Sequence, residues 1–187
     1  MAILHAISEA LTAVAAATGA FIAVLGLNAW KKQLKGKTDY ELARRYLRAV
    51  YKLRDAVQNV RNPFIPAEEM NAALKQSGKE GLGDGVDTQE GVRAAYSARW
   101  QKVTEAGSDL SVELREAEVS WGRKALDIER DMEKCVQELF VTLRMYVQHN
   151  ERPNRDLIYD QGDNDEYTKR LTTAVTKIEA YLAPHLR

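Results

Sequence analysis

Apolar side chains recur every three or four residues along most of this chain, and no segment alternates between apolar and polar residues as a strand does. Thr38 and Glu41 form a capping-box pattern, which predicts that a helix begins there. Asn62-Pro63 predicts the end of that helix, because the residue before a proline disfavours the helical conformation. A short helix is predicted after Pro66, since proline suits the first turn of a helix.

The second half of the chain begins after residues 77–87, which are glycine-rich, lack apolar periodicity and predict a loop. Apolar residues at helical spacing then cover residues 88–149. We expect a bend or turn between Gly107 and Gly122, because one helix of that length does not suit a compact domain. A last helix is predicted from about Asn164 to Leu182. Four or five amphipathic helices predict an all-α bundle over residues 38–187.

The N-terminal segment carries a different pattern. Residues 11–30 contain no charged side chain, and residues 31–37 hold four lysines. We therefore predict a transmembrane helix within residues 1–30 and a basic juxtamembrane segment over residues 31–37. Trp30, Lys31, Lys32 and Lys35 are the expected lipid-interface residues. Two alternatives stay open, a cleaved signal peptide and a buried helix of a soluble protein.

The position of the lysines predicts the orientation of this helix. Because they follow the apolar run, the N-terminus is expected outside a bacterial inner membrane and the bundle on its cytoplasmic side. One side of the helix holds small and polar residues at alternating steps of three and four, a spacing typical of paired helices. This seam, predicted to mediate self-association, consists of His5, Glu9, Thr12, Ala16, Gly19, Ala23 and Gly26. A dimerising anchor and a ring of helices around a pore both fit it.

The composition of the chain limits the kinds of binding site that it can hold. Lysine and arginine number 27, as do aspartate and glutamate, so no overall basic field predicts DNA binding. The single cysteine, Cys135, lies in an apolar helical pattern that is typical of a buried thiol. The three histidines are far apart and form no pair at metal-ligand spacing. We expect no metal site and no cofactor.

Arg144 and His149 stand near the end of a predicted helix, with four residues between them. This spacing, in an all-helical chain, resembles the signature of HEPN ribonucleases. In that family an arginine and a histidine from two subunits cleave RNA without a metal ion. The family usually has a polar residue after the arginine, whereas this chain has Met145. A purely structural role is the alternative, because both cations stabilise the negative C-terminal end of a helix.

The whole arrangement is similar to the small membrane accessory proteins of type VI-B CRISPR systems. The resemblance rests on the N-terminal apolar helix, the small-residue seam and the divergent pair Arg144 and His149. It implies an oligomeric pore that depolarises the membrane during antiviral defence, beside an RNA-guided effector protein. In such a protein the divergent motif would serve assembly or gating and not catalysis.

Three functions are therefore expected, in this order: a pore-forming accessory of a defence system, a membrane-tethered HEPN-type ribonuclease, and a non-catalytic scaffold or sensor. The expected partners are further copies of the chain, the lipid bilayer and an RNA-guided effector. Enzymatic activity is less favoured, because the sequence lacks the residue combinations that most catalytic sites require.

Overall fold

A computed structural model of the chain describes residues 2–79, 81, 88–149, 155–160, 162 and 165–186; for residues 2–15, 149 and 155 it describes the backbone alone. The described residues contain helices and no strand, which confirms the all-α prediction. The helices are α1 (Ala2–Arg61), α2 (Ala67–Gln76), α3 (Thr88–Trp121), α4 (Lys124–His149), α5 (Arg155–Ile158) and α6 (Glu166–Leu182), and a 3-10 turn follows over Ala183–Leu186.

Residues Leu42–Arg187 form one compact unit, in which four helices run alternately up and down. On α1 and α3 the ion pairs join early residues of one helix to late residues of the other: Lys52 contacts Asp109, and Arg45 contacts Glu116. Arg170 to Glu138 and Lys177 to Asp131 show the same antiparallel order between α6 and α4. The aromatic pairs Tyr96–Tyr146 and Trp100–Phe140 show it between α3 and α4. This is an up-and-down bundle of the kind that short connections between helices produce.

The core of the bundle lies along one stripe of each helix, as the helical periodicity predicts. Leucine, valine and alanine fill most of it, with three buried tyrosines among them: Tyr46, Tyr96 and Tyr167. The Tyr167 hydroxyl donates a hydrogen bond of 2.8 Å to the Cys135 carbonyl. Cys135 is 4% exposed, and burial raises the pKa of its thiol, so the prediction of a buried thiol is confirmed.

The helix ends follow the local sequence closely. The helix predicted to end at Asn62-Pro63 ends at Arg61, and the helix predicted after Pro66 is α2. Helix α3 runs through Gly107 and stops at Trp121, so the predicted interruption lies at Gly122, whose φ of 85° favours glycine. Of the predicted loop over residues 77–87, residues 80 and 82–87 lie outside the described part of the chain.

The predicted helix start at Thr38 is wrong. Thr38 lies inside α1, and its hydroxyl donates to the Leu34 carbonyl at 3.1 Å, a bond within the helix and not a cap. Glu41 lies one turn from Lys37, with a side-chain distance of 4.0 Å. A capping box requires an extended residue at its first position. Thr38 does not meet this requirement, because it lies inside a helix.

Residues Met1–Glu41 form a second compact unit. In the described part of the chain, no helix combines the length and the hydropathy that crossing a bilayer requires. The predicted transmembrane helix is therefore contradicted, and with it the inner-membrane location and the outside orientation of the N-terminus.

Candidate functional site

The described side chains of residues 16–38 are all exposed. This stretch of α1, which we call the N-terminal arm, nevertheless carries large apolar side chains. Trp30 is 58% exposed and Phe21 65% exposed, values typical of residues with no packing partner within the chain. Large apolar residues at least 49% exposed along the arm are Phe21, Ile22, Val24, Leu25, Leu27, Trp30 and Leu34. The arm holds half of the large apolar residues that are exposed in the described part of the chain.

The apolar residues of the arm do not share one face. At about 100° per residue, Phe21, Ile22 and Leu25 lie on one side of the helix. Val24, Leu27, Trp30 and Leu34 lie on the other. A surface helix has a single apolar stripe, whereas a helix that is apolar all round is buried. The arm therefore has the composition of a helix that other helices surround.

The predicted seam residues within the arm are small and open. Ala16, Gly19, Ala23 and Gly26 are exposed, and a Cβ built on Gly19 or Gly26 meets no atom within 4 Å. A Cβ atom at either glycine therefore contacts nothing among the described residues. The side chains of His5, Glu9 and Thr12 lie outside the described residues. Lys31, Lys32 and Lys35, predicted at a lipid interface, are exposed residues of the arm.

Arg144 lies on α4, is exposed, and donates from Nε to the Gln148 Oε1 at 2.9 Å. His149 is the last residue of α4, and its side chain lies outside the described residues. The pairing of Arg144 with His149 therefore stays a prediction.

Two other arginines, Arg61 and Arg99, are buried, although the sequence did not single them out. Arg61 is 2% exposed and makes five bonds, which use all five N–H donors of its guanidinium group. Its acceptors are the Asp156, Leu157 and Tyr159 carbonyls, the Thr168 hydroxyl, and the Asp165 carboxylate at 2.5 Å. This side chain joins the end of α1 to the start of α6.

Arg99 acts in the same way on the other side of α1. Its five donors bond both carboxylate oxygens of Glu69 and the carbonyls of Asn59, Asn62 and Phe64. These contacts hold the end of α1 and the start of α2 against α3. Because neither Arg61 nor Arg99 has a donor left, neither can bind a phosphate or a carboxylate of a ligand. Both are structural.

Glu129 on α4 is a further buried charged residue of the bundle, 8% exposed. Burial raises its pKa to about 7, and the Glu133 carboxylate adds to the shift. The Tyr46 hydroxyl lies near enough for burial and the Glu129 charge to raise its pKa, and this hydroxyl has no hydrogen-bond partner among the described residues. A carboxyl with this pKa suits acid–base chemistry, but the residue is buried in the bundle.

A signal for these buried residues does exist in the sequence. Arg99 and Glu129 stand at apolar-stripe positions, Arg99 three residues after Tyr96 and Glu129 three before Met132. A charged residue on a core stripe predicts a buried, partnered group.

The described residues contain no cluster of histidine, cysteine and acidic side chains suited to a metal ion. Comparison of the chain with protein-family models, curated proteins and solved structures finds no match.

Proposed function

We propose that this chain is a non-catalytic assembly protein, whose copies associate through the N-terminal arm and carry the helical bundle as a binding module. The observation that supports it is the arm itself, a helix that is exposed along residues 16–38 and apolar on both sides over residues 16–30. An isolated helix in water is marginal even when it is rich in alanine, so a stable arm needs a partner. Burying a large apolar side chain contributes roughly 1 kcal/mol or more, and the arm offers seven.

Copies of the same arm are the partner that fits. Gly19, Ala23 and Gly26 allow helices to approach closely, and the bulky residues on both sides supply contacts to two neighbours. A helix with two contact sides belongs to a group of at least three. The arm carries no acidic side chain between residues 16 and 38, and its four lysines lie in the last third of that stretch. The lysines extend past the apolar residues, where they remain solvated.

The functions implied by the family resemblance keep the status of predictions. A pore would require a helix that crosses the membrane, and the described residues contain none. Cleavage of RNA would require Arg144 and His149 together, and only the Arg144 side chain is described. The role in antiviral defence and the RNA-guided partner likewise rest on the resemblance alone.

The experiment compares two glutamate substitutions by light scattering coupled to size-exclusion chromatography. Phe21→Glu places a charge on the arm, where the native side chain is 65% exposed and so is not needed for folding of the single chain. Val119→Glu is the control, because Val119 is 88% exposed on the bundle. We expect Phe21→Glu to reduce the mass to that of one chain and Val119→Glu to leave the assembly intact. Equal masses for both variants would contradict the proposal.

Gly19→Leu gives a second, independent comparison. Gly19 is exposed and an added Cβ there meets no atom within 4 Å, so a change in assembly reports a contact between chains. We expect a smaller or dissociated assembly in which the bundle stays folded, as its cooperative thermal unfolding would show. Gly36→Leu, which also meets nothing within 4 Å but lies beyond the apolar residues, is the matched control.

A further inference from the structure

A groove of about 290 Å³ lies between α3 and α4 on the surface of the bundle. Its walls are mainly apolar: Trp100, Phe140, Leu143 and Val147 line it, and the Trp100 and Phe140 rings lie with centroids 5.2 Å apart. Phe140 remains 38% exposed although it is a large aromatic residue. Aromatic residues left open in a groove are typical of anchoring sites for another protein.

The groove continues into a second hollow of about 620 Å³, with which it shares Ser97 and Val147. Small residues of α3, Ala94 and Ala98, line part of this hollow. Phe140 and Val147 are seven residues apart on α4, a separation of about 10.5 Å along the helix axis. Two turns of a bound helix cover the same distance, so its apolar side chains at i, i+4 and i+7 match the walls.

The charged side chains around the groove are mainly positive. Arg144 lines the first part and Arg93 the second. Among the described residues neither arginine pairs with a carboxylate, in contrast to Arg45 and Arg170, which both do. Among the described residues that line the two hollows, Glu90 is the one acidic residue, and it is paired with Lys79. The groove therefore presents two cations without counter-charges beside an apolar wall.

We propose that this groove binds an amphipathic helix of a partner protein that carries acidic residues beside its apolar face. Leucine or similar side chains of that helix contact Trp100, Phe140 and Val147, and its carboxylates pair with Arg93 and Arg144. The arm of a second copy does not fit this description, because it has no acidic residue between positions 16 and 38. The site is separate from the arm, so it does not depend on the proposed mode of assembly.

The test uses the full chain and a fluorescein-labelled synthetic peptide of about 16 residues, with leucines at i, i+4 and i+7 and glutamates on the flanking positions. Fluorescence anisotropy measures its binding at low salt. A matched peptide with lysine in place of every glutamate is the charge control. We expect the acidic peptide to bind the wild-type protein and the basic peptide to bind much more weakly. Equal binding of the two peptides, or binding of neither, would overturn the proposal.

Charge reversal locates the site. Arg144→Glu is expected to weaken binding of the acidic peptide about five- to tenfold and to strengthen binding of the basic one, because it changes the sign of the groove's rim. Arg115→Glu, an exposed arginine of α3 that lines neither hollow, is the control and is expected to change neither affinity. Unchanged affinities for Arg144→Glu would overturn the proposal.

Two measurements separate the other possibilities. Phe21→Glu is expected to bind the acidic peptide as the wild type does, so loss of assembly and loss of peptide binding are distinguishable. The mass of Arg144→Glu in solution is expected to equal that of the wild type. A lower mass would show that the groove is covered by a second copy of the chain and would overturn the proposal of a partner helix.

Discussion

Arg61 and Asp165 form an ion pair of 2.5 Å in which each side chain is 2% exposed. The pair joins the last residue of α1 to the N-cap of α6, where the Asp165 side chain also accepts from the Tyr167 amide. The Arg61 guanidinium lies 4.3 Å from the centre of the Tyr167 ring. One buried side chain therefore determines how two of the four long helices meet.

Removal of Arg61 should be costly. We expect Arg61→Met to lower the free energy of unfolding by about 3–5 kcal/mol, because it leaves the buried Asp165 carboxylate without its counter-charge and three carbonyl oxygens without their donor. Urea denaturation followed by circular dichroism measures the loss. Arg130→Met is the control: its ion pair with Asp127 is exposed, and its loss should cost less than about 0.5 kcal/mol. A cost near the control value for Arg61→Met would show that the pair is not structural.

The ion pair of Arg61 and Asp165 predicts how the stability of the protein changes in acid. Burial alone would raise the pKa of Asp165, but the hydrogen bonds from Arg61 and Thr168 outweigh it and lower the pKa to about 2. The unfolded chain takes up this proton near the ordinary value of 3.8, so the stabilisation is lost as the pH falls from about 4 to 2. We expect Asp165→Asn to be less stable at neutral pH and to lose less stability in this range, as measured by urea denaturation at several pH values.

The buried Glu129 carboxyl predicts that the stability of the protein falls as the pH rises. Its pKa of about 7 in the folded protein exceeds the ordinary 4.5, so the folded state keeps a proton that the unfolded chain releases. Stability should therefore fall by about 2–3 kcal/mol as the pH rises from 4.5 to 7 and then level off. Glu129→Gln should remove this slope and be the more stable protein at pH 8. A wild-type slope retained in Glu129→Gln would assign the effect to another group.

Two glycines of the α3–α4 hairpin should respond in opposite directions to alanine. Gly122 has a φ of 85°, a conformation that strains any other residue, so Gly122→Ala should cost about 1 kcal/mol or more. Gly107 lies inside α3 with open space around its Cα, so Gly107→Ala should stabilise the bundle by about 0.5–1 kcal/mol. Thermal unfolding of the two variants measures both effects. A destabilised Gly107→Ala would indicate a contact at Gly107 with another molecule.

Local signals were sufficient to predict most of the bundle. The proline after Asn62, the proline at position 66 and the glycine at 122 each act on the backbone beside them, and the helices end or begin there. The start predicted at Thr38 failed for a complementary reason. A capping box competes with continuation of the helix, and the alanine-rich sequence before it continues the helix.

Contacts between residues that lie far apart along the chain could not be predicted from the sequence. Arg61 bonds residues about 100 positions away, and Arg99 binds carbonyls of the segment that links α1 to α2. Such partners become visible only once the helices are placed side by side. The groove between α3 and α4 was missed for the same reason, since Trp100 and Phe140 each appear in the sequence as ordinary core residues.

The transmembrane prediction is contradicted, because no helix in the described part of the chain is long and apolar enough to cross a bilayer. Alanine and glycine make up 7 of the 15 residues from 16 to 30, and small residues favour close packing of helices. Self-association therefore remains the prediction that the arm supports.

Analytical ultracentrifugation of the full-length wild-type chain tests that central claim most directly. Sedimentation equilibrium at several micromolar concentrations, without detergent, gives the mass independently of molecular shape. We predict at least three times the 21.1 kDa of one chain, because the arm has apolar residues on both sides. A mass of 21.1 kDa at every concentration, with the arm still helical by circular dichroism, would contradict the claim.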